Sequence, residues 1–137
     1  MNKFFLIVLL FLFAACDGKI YDQVHDESKI GISFKEIEVV ANNESAFKAS
    51  KEALRHKGFK ITTSDYMLRV EHRDYKKACT NPLSKTSSDY NYDGLASITL
   101  FYKGKKIYSA YKDFKGEVNE KLFMSLIDNM IEDMQIR

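Results

Sequence analysis

Residues 96–111 constrain the fold of this chain more than any other stretch. Ala96, Ile98, Leu100 and Tyr102 lie on one face and alternate with Ser97, Thr99 and Phe101, Lys103-Gly104-Lys105 follows, and then Ile107, Ser109 and Tyr111 alternate again. Period-two alternation on both sides of a short glycine-containing break is the signature of a β-hairpin with one buried face. A turn at Lys103-Gly104 pairs Tyr102 with Lys105 and Leu100 with Ile107. A turn at Gly104-Lys105 shifts the pairing, but the same residues share a face. A chain with such a hairpin must find an apolar layer to cover it.

The C-terminus supplies one. From Glu117 to Gln135 the apolar positions Val118, Leu122, Phe123, Leu126, Ile127, Met130, Ile131 and Met134 fall at helical spacing, opposite Glu120, Lys121, Asp128, Glu132 and Asp133. This predicts an amphipathic helix lying along the sheet. A second helix is expected over 44–57: Asn42-Asn43 precedes it, Ala46, Phe47, Ala53 and Leu54 share a face, and Arg55-His56-Lys57 and Gly58 mark its end. Before it, Ile30, Ile32 and Phe34 alternate and Ile37 and Val39 alternate on the opposite phase, which predicts a strand with a bulge near Lys35-Glu36. Phe59, Ile61 and Thr63 form a short strand, and Tyr66, Leu68, Val70 and His72 line one face of another. Residues 76–94 hold the single proline and read as a loop. The expectation is an α+β fold: an antiparallel sheet of about four to five strands with two helices packed on one face.

Residues 1–15 stand apart. Lys3 precedes an unbroken apolar run from Phe4 to Phe13, followed by Ala14 and Ala15. A basic start, a short apolar middle and small residues at the cut make a secretory signal peptide. The run is shorter than the roughly 20 residues a membrane-spanning helix needs. Phe13-Ala14-Ala15-Cys16 resembles the lipobox of bacterial lipoproteins, with Phe13 where that family usually has Leu, Val or Ile. The resemblance implies that Cys16 is lipidated and begins the mature chain, anchored to an inner or outer membrane and facing the periplasm. Residues 16–29 then read as the lipidated cysteine and a polar tether, and 30–137 as a single α+β domain. Fully extended, residues 17–29 would reach roughly 43 Å at about 3.3 Å per residue. The segment Ala53–Ile61 running into Asp65–Val70 is similar in pattern to small envelope lipoproteins of this architecture, such as the lipopolysaccharide-assembly lipoprotein. That similarity carries over no functional residue.

Chemistry is sparse. The chain has 21 Lys and Arg against 19 Asp and Glu, and Lys3 would leave with the leader, so charge gives no argument for nucleic acid. With Cys16 lipidated, Cys79 is alone, a pattern that fits a buried inert thiol, an intermolecular pair or a reactive site. His25, His56 and His72 stand in no metal or nucleophile motif, and no HExxH, CxxC, GxSxG or nucleotide-binding glycine loop occurs. Two stretches carry more. Asp89, Asn91 and Asp93, followed by Gly94, match the first half of a calcium loop, but Leu100 stands at the twelfth position where a bidentate Glu belongs. An Asx-rich turn explains the same residues. Lys103, Lys105, Lys106 and Tyr108, continuing to Tyr111, Lys112 and Lys115, make a basic stretch with interleaved aromatics, suited to an anionic ligand or simply to protecting an exposed edge.

The expected function is therefore that of a lipid-anchored envelope protein, without enzymatic activity or cofactor. It would meet another envelope protein as an accessory or assembly subunit. The alternative is a periplasmic binding module for an anionic envelope polymer or calcium.

Overall fold

The computed structural model describes residues 18–75 and 92–137. Residues 1–15, read as a leader, and Cys16, Cys79, Asp89 and Asn91 lie outside them. The described chain is α+β: strands β1 (Tyr21–Val24), β2 (Glu36–Ala41), β3 (Lys60–Ile61), β4 (Tyr66–Asp74), β5 (Gly94–Tyr102) and β6 (Lys105–Phe114), with helix α1 (Glu44–His56) after β2 and helix α2 (Glu120–Asp133) after β6. They form a six-stranded sheet in the order β1-β6-β5-β4-β2-β3.

The sheet is mixed. β1, β6, β5 and β4 pair antiparallel, whereas β2 runs parallel to both β4 and β3. The expectation of a wholly antiparallel sheet included α1 but not its consequence for strand direction. A helix after β2 carries the chain back along the sheet, so the strands that follow start at the same end as β2 and pair with it in parallel. Both helices cover one face. Leu54 of α1 and Phe123, Leu126, Ile127 and Met130 of α2 share a core with Leu68, Val70, Ile98 and Leu100, and none of these side chains is exposed.

Local signals place the helices well. The Asn43 side chain accepts the Ala46 N–H at 2.9 Å and that of Asn119 accepts the Leu122 N–H at 3.0 Å, each satisfying an end donor that the helix itself leaves open. Gly58, with φ +85°, takes the left-handed conformation just past α1.

Three strand expectations change. Residues 21–24, read as tether, are an edge strand on β6. Residues 30–35 are not strand, since β2 begins at Glu36. Their backbone bonds instead to the chain end after α2: Gly31 N–H donates to Met134 O at 2.8 Å and Ile32 O accepts from Arg137 N–H at 3.3 Å. Phe34 still reaches the core, stacked on Tyr66 with centroids 3.9 Å apart.

The third change is in the hairpin. Lys103 and Gly104 have φ of 47° and 78°, the two left-handed residues of a tight turn that matches strand twist. Tyr102 pairs with Lys105 as the first of the two turns requires, but Leu100 pairs with Tyr108 rather than Ile107. The register shifts between Leu100 and Phe101, opposite Ile107, and an extra residue in one strand reverses the facing of everything beyond it. Ile107 and Tyr108 are both fully buried, Ala110, Lys112 and Phe114 then face the core, and Ser109 and Tyr111 turn to the other face. The Ile107 carbonyl accepts the N–H groups of His25 and Asp26 at 2.8 and 3.3 Å, which ties the bulge to the end of β1.

Candidate functional site

Beyond the bulge, the basic aromatic stretch does not form one surface. Tyr108, expected outside, is wholly buried. Its hydroxyl donates to Asp133 Oδ2 at 3.0 Å and accepts from Asn129 Nδ2 at 2.9 Å. Burial, with the Asp133 carboxylate adding to it, pushes the phenol well above the ordinary tyrosine range. Asn129 also reaches Asp22 Oδ2 at 2.9 Å, so this polar cluster joins β6, α2 and β1. Lys112 is only 6% exposed and donates to Ser125 Oγ at 3.2 Å.

The hairpin-tip lysines remain outside and face carboxylates. Lys105 Nζ lies 2.9 Å from Asp26 Oδ2, and Lys103 Nζ is 3.9 Å from Asp65 Oδ2. The Ser28 hydroxyl, donating to Asp26 at 2.5 Å, and the Lys105 ammonium hold the Asp26 carboxyl down at about 2. Lys106, exposed, pairs with Phe101 on the side away from the helices.

Of the calcium-loop residues, Asp93 is described. Its Oδ2 accepts the Gly116 N–H at 2.7 Å, clamping the start of β5 to the end of β6. Gly94 does not serve a left-handed turn here. A Cβ on it would collide with Arg73 O and stand 2.9 Å from Phe114 Cζ, so it permits close strand approach.

Asp93 also lines a cleft of about 560 Å³ at the end of the sheet where β4 and β6 finish, with His72, Asp74, Glu117 and Ser45 around it. Asn42 holds the His72 backbone by imitating a strand residue: its side-chain amide donates to His72 O at 2.8 Å and accepts from His72 N–H at 3.0 Å. The His72 ring lies 5.5 Å from that of Phe114, and its Nδ1 is 3.4 Å from Asn43 Nδ2. Among the described residues no three His, Cys, Asp or Glu side chains are grouped to hold a metal ion. The cleft is acidic, and its carboxylates do not converge.

The larger open feature is the sheet face turned away from both helices. Strand register lays out its rows: Glu38, Met67 and Phe101 in one, then Val40, Arg69, Thr99 and Ser109 in the next. The Arg69 guanidinium sits 4.9 Å over the Phe101 ring, and Val40 is 43% exposed. At the β1 side, Tyr21 and Tyr111 pair across strands with rings stacked at 5.2 Å, exposed by 50% and 46%. Sequence reasoning misses this pair. By alternation Tyr111 falls in the buried phase, and Tyr21 sits in a segment without alternation.

No protein-family model matches the chain, and no curated protein matches it. Among solved structures it is similar to a PelC dodecamer from Paraburkholderia phytofirmans, at 14% identity and a TM-score of 0.49, covering 88% of this chain and 99% of that one. It is also similar to a minor lipoprotein from Acinetobacter baumannii, at 10% identity and a TM-score of 0.38, covering 74% of this chain and 90% of that one.

Proposed function

We propose that the protein is a lipid-anchored cell-envelope protein that acts, without catalysis, as an accessory or assembly subunit through contacts with another envelope protein. The anchor rests on Phe13-Ala14-Ala15-Cys16 behind the apolar leader. The observation that carries the rest is the uncovered sheet face, where Val40, Met67 and Phe101 reach water beside Arg69. Apolar side chains next to an aromatic-stacked arginine are the makings of an interface centre. An anionic-polymer role draws less support, because Lys103 and Lys105 already face Asp65 and Asp26, and so does a calcium role, because Asp93 already accepts the Gly116 N–H.

The test has two arms. Mass spectrometry of the mature protein should find an acylated N-terminal cysteine, and Cys16→Ser should release or misprocess it; an unmodified Met1 would sink the anchor. Affinity purification from detergent-solubilised membranes should recover a stoichiometric envelope partner that Arg69→Glu and Val40→Asp both lose. Lys51→Glu, on α1, should keep it. Equal recovery by all three variants would remove the sheet face from the proposal.

A further inference from the structure

With β1 in the sheet, the leash between lipid and domain is very short. Gly18 is already docked: its N–H donates to Asp113 O at 2.9 Å, beside the last pairs of β6. It stands two positions after Cys16, and two residues of fully extended backbone span at most about 7 Å. A domain held so closely cannot stand clear of the headgroups. The end of the sheet at Gly18 must lie against them.

What that end offers to lipid is uneven. On the open face, a few residues along, are the stacked Tyr21 and Tyr111, the two most exposed large hydrophobic side chains of the described residues. Lys19 joins them, its Nζ 5.7 Å over the Tyr21 ring. Tyrosine has an apolar ring and a polar tip and concentrates at the membrane–water interface, and lysine is drawn to anionic headgroups. The other corner of the same end holds the cleft with Asp74, Asp93 and Glu117, carboxylates that an anionic surface repels. Asp113, on the tyrosine side, has its carboxylate bonded by the Tyr75 hydroxyl.

We infer that the domain leans on the bilayer through Lys19, Tyr21 and Tyr111, with the cleft corner turned away from the lipid. This inference rests on the lipid anchor at Cys16. It makes the β1 end of the open face a membrane contact and leaves the Val40–Arg69–Phe101 part, on β2, β4 and β5, for a protein partner.

The chain contains no tryptophan, so a single introduced one is the only indole reporter. Full-length protein, processed in a bacterial host, is placed in vesicles of phosphatidylethanolamine and phosphatidylglycerol carrying headgroup-spin-labelled phosphatidylcholine. Three variants are compared: Tyr111→Trp, Lys106→Trp further along the same strand and face, and Glu117→Trp at the cleft corner. The spin label should remove most of the emission of Tyr111→Trp and far less of the other two. Tyr21→Trp serves as the reporter if the first variant does not fold. The mass of the same sample separates the two readings. An acylated protein in which the three are quenched alike, or Glu117→Trp most, overturns the docking and leaves the anchor standing. A protein without acyl groups overturns both.

Discussion

Tyr108→Phe decides whether the stretch after the hairpin turn is a binding surface or part of the core. The substitution deletes one oxygen from a side chain that is wholly buried. It removes a hydrogen bond of 3.0 Å to the Asp133 carboxylate and one of 2.9 Å from Asn129. A hydrogen bond to a charged group is worth about 1.5–3 kcal/mol, at the low end here because Asp133 is only partly buried and keeps its 2.8 Å bond from Asn129. The lost oxygen leaves too little space to create a cavity term. We therefore expect a loss of about 1.5–2 kcal/mol, which for a domain of this size lowers Tm by roughly 5–10 °C. Tyr108→Ala adds a cavity and should cost about 3–5 kcal/mol, as large-to-small aromatic changes do. Lys106→Ala, exposed on the other face, should stay within about 0.5 kcal/mol. Urea unfolding followed by circular dichroism measures all three. If Tyr108→Phe and Lys106→Ala are both neutral, the bulge at Ile107 is misplaced and Tyr108 lies outside.

Leu126→Ala should cost roughly 2–5 kcal/mol, whereas Asp128→Ala, which loses only a half-exposed 2.5 Å pair with Lys57, should stay below about 1 kcal/mol by the same unfolding curves. Gly94→Ala should destabilise by about 1–3 kcal/mol through contact with Arg73 O and Phe114, a loss that differential scanning calorimetry would read as a lower Tm; an unchanged Tm would refute the close approach. Asp26 titrates lower in the folded chain than in the unfolded one, so its stabilising effect is complete above about pH 4 and lost as pH falls towards about 2. Asp26→Asn should flatten that part of the Tm–pH profile, and a profile that coincides with wild type would remove the Ser28 and Lys105 contacts as its cause.

Both helices, the hairpin turn and the α+β class were legible in the sequence because each rests on information within a few neighbours. Asn43 and Asn119 cap the next turn, the Leu122–Met134 stripe repeats at helical period, and Lys103-Gly104 supplies two adjacent left-handed residues. The candidate sites were less legible. Asp93 and Gly94 could be picked out, but their partners, Gly116 and Phe114, lie twenty or more residues away and enter only through strand pairing. β1 has three exposed residues of four, so no alternation announces it, and it is a strand because β6 offers an open edge. The parallel pairing of β2 with β4 follows from where α1 returns the chain. The bulge at Ile107 is set by what β5 and β1 demand on either side of β6, and it alone decides that Tyr108 and Lys112 point inward while Tyr111 points out. A strand's own residues specify that its side chains alternate; only its neighbours in the sheet specify which set meets the core.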